Sequence, residues 1–202
     1  MYIGKPGVKY GVVIADPPWQ YKSPSALDIS NPLIDGSRRS ISVSLQNHYP
    51  TMRLDDIKNL QVPSAKEALL FLWITNPMLA DGVGTDVVRA WGFTPTSVIT
   101  WAKTNSVNDG VGFFEIPMVP SMKVGHWFRS ASEHVIFAVK GQPKRPENWP
   151  AIPTWFSHPR TPHSVKPNVI HEYAEKAMPQ GPFLEMFARR AYKGWDVWGN
   201  EI

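Results

Sequence analysis

The run YGVVIA at residues 10–15 constrains this chain more than any other feature, because of what stops it. Six residues, β-branched at their centre and without polar alternation, read as a strand buried on both faces, as in a parallel sheet. Asp16-Pro17-Pro18 ends it abruptly, since proline has no N–H to give a central ladder. Parallel neighbours require crossover connections, usually helical, and the rest of the chain supplies them. ALLFLWI at 68–74 reads as a second buried strand, 96–102 as a third and 134–139 as a fourth, with short closing strands at 183–188 and 195–198. A short helix is expected at 54–60. Another starts with Asn76 as cap and Pro77 at the first helical position, and ends near Trp91 with Gly92 as its stop. At 168–178, Val169, Ile170, Tyr173, Ala174 and Ala177 fall at helical spacing. This alternation predicts an α/β fold: a mainly parallel sheet, helices on both faces and right-handed crossovers.

The 202 residues, 43% of them hydrophobic, suit one domain spanning 1–202 with a sizeable core. The first apolar run is too short and too soon broken by proline for a signal peptide, and no stretch approaches the roughly 18 apolar residues of a membrane helix. A cytoplasmic protein away from membranes, or a nuclear one if the source is eukaryotic, is the expectation. The absence of cysteine excludes disulfides, thiolate catalysis and Cys-based zinc sites. No pair among the six histidines has a spacing that suggests a metal site, so no metal is expected. A net charge of +4 is compatible with a polyanionic partner without arguing for one. Twenty prolines and nine tryptophans point to long, ordered, aromatic-studded loops, at 20–50 and 103–130.

Ligands of such sheets sit beyond the carboxyl ends of the strands, where Asp16-Pro17-Pro18-Trp19 stands. Asp16 offers a hydrogen-bond acceptor, and the Pro17 carbonyl a second one held rigidly by the proline ring. Trp19 offers a flat face on which a base can stack, or else simply packs on the core; the sequence leaves both readings open. An aromatic amine such as adenine N6 is a poor nucleophile because its lone pair is delocalised into the ring. Two fixed acceptors on its N–H bonds favour a more tetrahedral nitrogen, ready for in-line attack on an activated methyl. The two loops flank this site with Lys22, Arg38, Arg39, Lys103, Lys123 and Arg129 among Tyr21, Trp127 and Phe128. That mixture suits phosphate contacts and base stacking on single-stranded or flipped-out substrate.

The tetrapeptide Asp16-Pro17-Pro18-Trp19 resembles the DPPW signature of the MT-A70 family of adenine-N6 methyltransferases. The likeness continues in order along residues 8–201: HYPTM at 48–52, LWITN at 72–76, WAKTN at 101–105, GHW at 125–127, EH at 133–134, KG at 140–141, HSVKP at 163–167, FLEMFAR at 183–189 and GNE at 199–201. Any one segment is weak; the ordered series is specific. It implies a Rossmann-like class I methyltransferase fold in permuted order, the catalytic tetrapeptide first and the cofactor segment last. It also implies S-adenosyl-L-methionine as cofactor and a nucleic acid as substrate, and allows a homo- or heterodimer.

Carried over residue by residue, Asp16, Pro17, Pro18 and Trp19 are implied to be catalytic, with Asp16 also near the methionine amine of the cofactor. Tyr49, Asn76, Lys103, His126 and Trp127 are implied on the substrate side. Ser164, Lys166, Glu185, Phe187, Arg189, Asn200 and Glu201 are implied on the cofactor side. Lys166 would meet the cofactor carboxylate; Glu185, Arg189 and Asn200 would reach the ribose hydroxyls and nearby polar groups. A carboxylate at a strand end is also the usual ribose partner in doubly wound folds, so the reading of Glu185 from its own position agrees. Two departures stand out: Glu201 where relatives often carry glutamine, and only nine residues before the first strand. Compactness favours DNA over RNA, as in prokaryotic or phage-type enzymes. The alternative is a catalytically inactive, nucleic-acid-binding paralogue of the same fold, which the intact Asp16, Lys166, Glu185 and Asn200 disfavour.

Overall fold

A computed structural model describes residues 2–20, 51–105, 120, 127–161, 165–199 and 202. Along them run β1 (Tyr10–Ala15), α1 (Leu54–Lys58), β2 (Ser64–Ile74), α2 (Asn76–Ala80), α3 (Val83–Ala90), β3 (Thr94–Thr104), β4 (Ser132–Lys140), β5 (Trp155–Pro159), α4 (Val169–Ala177), β6 (Phe183–Met186) and β7 (Trp195–Trp198). The strands form one sheet in the order β5-β3-β4-β2-β1-β6-β7. β1 pairs in parallel with β2 and β6, β6 with β7, and β3 with β5; β4 runs antiparallel to both β2 and β3. The chain starts in the middle of the sheet, builds outward to one side, then returns to build the other. Connections therefore leave β1 and β6 in opposite directions, which makes the edge beyond their carboxyl ends the switch point where the ligand crevice of such sheets lies.

The all-apolar β1 is central because it has two faces to bury. Val13 and Ala15 join Leu70, Leu72, Ile74, Leu184 and Met186 on one face, covered by Ile57 of α1, Met78 of α2 and Val87 and Val88 of α3. Val12 and Ile14 join Leu69, Phe71, Trp73, Trp101 and Val135 on the other, covered by Ile170 and Ala174 of α4. The mainly parallel sheet with helices on both faces is thus as the residue pattern predicts.

Several boundaries differ from the sequence expectation. The single helix expected from Asn76 to Trp91 is two, because Gly82 takes φ +74 and turns the chain between α2 and α3. Asn76 does not cap; Thr75 precedes the helix, and the Asn76 amide is drawn across to β4 instead. The stop at Gly92 does form: with φ +80, its N–H reaches Arg89 O (2.9 Å) while Phe93 N–H reaches Val88 O (3.0 Å), a Schellman closure. β5 has no counterpart in the expected elements. It lies at the sheet edge, where pairing on one side tolerates flanking prolines that argue against an inner strand. β3 runs on to Thr104 and takes Lys103 into the sheet, out of the loop expected at 103–130. β6 stops at Met186, short of Ala188, because Phe187 turns out at φ +62. Apart from Gln20, the expected loop 20–50 lies outside the described residues, as do 106–119 and 121–126. Among the described residues no helix is long and apolar enough to cross a membrane.

Candidate active site

Side chains alternate between the two faces of a strand, so a charged residue two past the last apolar one stays on the same face but reaches the rim. On the α4-covered face, β1 runs Val12, Ile14, then Asp16. β3 runs Ile99, Trp101, then Lys103, and β6 runs Phe183, then Glu185. β4 is antiparallel, so its rim residue comes first: Glu133, then Val135, Phe137 and Val139. Each of these strands ends its apolar row on a charge at one edge of the sheet. The registers place them side by side. Glu185 pairs with Ile14, on the row Val197–Glu185–Ile14–Phe71 two residues before Asp16, and Glu133 pairs with Trp101.

The charges form an alternating chain. Lys166, three residues before α4, places Nζ 2.9 Å from Asp16 Oδ2 and 3.2 Å from Glu133 Oε2, and 5.5 Å above the Trp73 ring. The other Glu133 oxygen accepts from Lys103 Nζ, which lies 4.6 Å over the Trp101 ring. Two carboxylates and two ammoniums cancel, which is how four charges are tolerated near the core. Burial pushes the Asp16 carboxyl above its usual range, though Lys166 pulls the other way. Burial also works against Glu133, yet Lys166 and Lys103 outweigh it and hold that carboxyl below the ordinary value. Burial opposes the Lys166 ammonium, and Asp16 with Glu133 outweighs it in turn, so its pKa is raised.

The corner after β1 is held at several points. Asp16 N–H reaches Met186 O of β6 (3.4 Å), the Pro17 carbonyl accepts from Trp19 N–H (2.8 Å), and the Pro18 carbonyl accepts from Met52 N–H (2.9 Å). The bond from Trp19 back to Pro17 spans two residues, a turn that the fixed φ of Pro18 suits. It leaves one lone pair on the Pro17 carbonyl. Of the two readings open for Trp19, the structure realises core packing: the side chain is 6% exposed, sits among Ala15, Leu72 and Met78, and donates Nε1–H to Trp73 O at 3.3 Å. Its role is to brace the corner.

Other expected residues fall in three groups. Lys166, Glu185, Phe187 and Arg189 gather around the tips of β1 and β6. Glu185 is 3.0 Å from His171 Nε2, and Phe187 holds a left-handed backbone unusual for a side-chain-bearing residue while packing on Trp198 (5.1 Å between centroids). The charge of Arg189 is felt at Asp16. Asn76 belongs to a second polar group on the opposite face: it bonds Ser130 Oγ (3.0 Å), Ser132 Oγ (3.2 Å) and the ring of His134. His134 Nε2–H donates to the Asn76 oxygen and Nδ1 accepts from Thr100 Oγ1 (3.0 Å), and burial lowers its pKa. Lys103 is not a loop cation; it is 8% exposed and bonded to Glu133. Trp127, by contrast, stands 86% exposed beside Phe128 at 91%. Tyr49, His126, Ser164, Asn200 and Glu201 lie outside the described residues. Glu133 and His171 were not expected as site residues. The signal for Glu133 was there, as the alternation Glu133-Val135-Phe137-Val139.

An apolar cavity of about 300 Å³ opens on the same face toward the other end of the parallel strands, lined by Phe71, Phe137, Trp149 and Tyr173 among others. Its walls are mostly carbon, so the chemistry-bearing groups belong to the rim and not to it. Among the described residues no cluster of three histidine or acidic side chains is arranged to hold a metal.

The MT-A70 family model matches residues 10–201. The type II methyltransferase M.MunI of Mycoplasma sp is 32% identical over 203 residues, which cover 98% of this chain and 79% of that protein. The N(6)-adenosine-methyltransferase MT-A70-like protein of Arabidopsis thaliana is 28% identical over 196 residues, 96% of this chain and 24% of its own length. The human N(6)-adenosine-methyltransferase catalytic subunit METTL3 is 24% identical over 197 residues, 96% of this chain and 28% of its own. The chain thus spans about a quarter of the length of the plant and human relatives and most of M.MunI. Its seven-stranded, mainly parallel sheet with helices is the Rossmann-like fold of that methyltransferase family. Matched from its first strand to Glu201, and 32% identical to one relative over 98% of its length, the chain belongs to the MT-A70 family.

Proposed function

We propose that this chain transfers a methyl group from S-adenosylmethionine to the N6 amine of adenine in a nucleic acid, DNA in preference to RNA. The observation that carries the reading is the Lys166 ammonium set against Asp16 at the crevice between β1 and β6, with Glu185 one strand away. A methionine tail carries one cation and one anion side by side, and a ribose carries a diol. Asp16 fits the amine, Lys166 the carboxylate and Glu185 the hydroxyls, so the residues present suit this cofactor. When bound, the cofactor supplies a methyl group activated on a sulfonium.

The chain's own part is positioning and electrostatics. Asp16 and the remaining lone pair of the Pro17 carbonyl draw on the two N–H bonds of the target amine and turn its lone pair outward. The hydrogen bonds that Trp19 N–H donates to Pro17 O, Met52 N–H to Pro18 O and Asp16 N–H to Met186 O keep those acceptors from relaxing as charge moves. The amine proton becomes acidic once the nitrogen is alkylated and passes to solvent without a tuned base. Trp127 and Phe128, exposed next to Arg129, suit stacking and phosphate contact with an unpaired strand. Tyr49 and His126 belong to the same substrate side, Ser164, Asn200 and Glu201 to the cofactor side; these assignments rest on the family likeness. DNA is favoured because the relatives named for adenosine, a ribonucleoside, are 24–28% identical, whereas M.MunI is 32% identical and covered over 79% of its length.

The test is incubation with labelled S-adenosylmethionine and separate DNA and RNA pools, followed by nucleoside mass spectrometry. N6-methyldeoxyadenosine that disappears in Asp16→Ala is the expected result. No product from either pool, or undiminished product from Asp16→Ala, overturns the activity. Product from RNA alone overturns the DNA preference.

A further inference from the structure

One buried polar side chain on α4 is used by nothing in this scheme. His171 is 4% exposed, although it stands outside the apolar stripe Val169, Ile170, Tyr173, Ala174 and Ala177. It faces the β6–β7 side of the sheet. Its ring stacks on Tyr192 (4.3 Å between centroids, 24°) and meets Trp195 edge-on (4.8 Å, 69°). Trp195 is itself fixed, stacked on Phe183 (4.9 Å) and donating Nε1–H to Glu175 Oε1 at 2.9 Å. The imidazole is therefore clamped between aromatic rings, with Nε2 3.0 Å from Glu185 Oε2. Its Nδ1 is buried without a hydrogen-bond partner among the described residues.

That pattern selects one tautomer. With the proton on Nε2 the ring donates to the carboxylate and leaves only a bare lone pair buried at Nδ1. With the proton on Nδ1, a buried donor has no acceptor and two lone pairs oppose each other at Nε2 and Oε2. We infer that His171 is a positioning residue for Glu185: it ties down Oε2 and so holds Oε1 toward the ribose hydroxyls. Glutamate has freely turning side-chain torsions, and fixing one oxygen before the ligand arrives removes an ordering cost from binding. The inference rests on the ribose role given to Glu185 above.

The test uses the full chain as wild type, His171→Phe, His171→Gln, Glu185→Gln and the double variant His171→Phe/Glu185→Gln. S-adenosylmethionine affinity is read by calorimetry, turnover on DNA at saturating cofactor, and folding by thermal melting. Phenylalanine keeps the ring stack and loses the donor; glutamine puts an amide N–H near the Nε2 position. The dissociation constant should rise about tenfold in His171→Phe, the scale of one hydrogen bond to a charged group, with turnover at saturation essentially unchanged. His171→Gln should recover most of the affinity, and His171→Phe should add nothing in the Glu185→Gln background. Wild-type affinity in His171→Phe beside weak binding in Glu185→Gln overturns the role of His171 alone. Wild-type affinity in Glu185→Gln overturns the ribose role of Glu185. Equal weakening in His171→Phe and His171→Gln, or additive effects in the double variant, shows packing only and overturns the inference. If His171→Phe melts below the assay temperature, ¹⁵N spectra of histidine-labelled wild type decide on the tautomer: a proton on Nε2 supports the inference, and one on Nδ1 overturns it.

Discussion

Glu133→Gln removes one carboxylate from between two lysines and leaves the side-chain volume unchanged. Lys166 keeps Asp16 at 2.9 Å, so the loss falls mainly on Lys103, whose side chain is only 9% exposed. Taking away one partner of a buried pair costs about 3–5 kcal/mol. Glu133 and Lys166 retain 19% exposure, and the Trp101 ring under Lys103 goes on contributing about 1 kcal/mol. The expected destabilisation is therefore about 2–3 kcal/mol, a fall in Tm of about 4–12 °C for a chain of this size. Urea denaturation at neutral pH measures it, and a pH series tests its origin. Glu133 is held below the ordinary 4.5, with Lys166 and Lys103 overcoming burial. Its contribution is fully present above 4.5 and is lost as pH falls through the lowered folded value. The gap between wild type and variant should accordingly close in acid. A gap under about 1 kcal/mol at neutral pH, or one that persists in acid, refutes the reasoning. The pair replaced by apolar residues, Lys103→Met with Glu133→Leu, should be more stable than Glu133→Gln, because the Lys103 charge is removed together with the carboxylate that balances it and Lys166 keeps Asp16.

Lys166→Met removes the nearest cation opposing the burial of Asp16, whose pKa is already raised; the acid limb of the kcat/KM profile should move to higher pH, and an unmoved limb would detach Asp16 from that limb. Asp16→Asn should lower kcat by about 10²–10³, read by single-turnover kinetics, with little loss of stability since burial disfavours the native charge. Gly199→Ala places a methyl 2.2 Å from Ala188 O and 2.8 Å from Ala188 N; it should cost about 2 kcal/mol and weaken cofactor binding by shifting the 187–189 turn, measured by melting and calorimetry. Trp19→Phe forfeits the bond to Trp73 O; a loss of about 1 kcal/mol or more by denaturant melt, with slower turnover, is expected of a brace, whereas unchanged melting and turnover would indicate a ring that any aromatic can replace.

The parts of the fold legible in the sequence are those whose residues see one dominant force. YGVVIA and ALLFLWI are buried on both faces, and burial alone writes them. The stop at Gly92 is equally plain because only a positive φ closes that helix. Less legible were elements balanced between influences. The break at Gly82 splits a helix whose apolar spacing continues on both sides, and β5 is an edge strand buried essentially through Phe156. Asn76 carries a sound capping signal, but His134, Ser130 and Ser132 compete for its amide, and those partners arrive from more than fifty positions away.

The site shows the same division, and the direction of β4 explains it. A reader looking just past strand ends finds Asp16 and, near its own strand end, Glu185, because parallel strands deliver their last residues to the ligand edge. An antiparallel strand delivers its first residues there. Glu133 comes before the apolar row of β4, where its alternation with Val135, Phe137 and Val139 gives its face, but only the strand's direction tells that it stands at the ligand edge. Once β4 is antiparallel, Glu133 must sit on the α4-covered face at the same edge as Asp16 and Lys103, and a cation between the two carboxylates follows from the cost of burying like charges together. Lys166 is that cation. The proposed function makes it a ligand contact, while the fold makes it the charge that lets Asp16 and Glu133 lie together. A lysine holding both duties predicts that its loss shifts the ionisation of Asp16 as well as the affinity for the cofactor, which a lysine serving only as a ligand contact would not do.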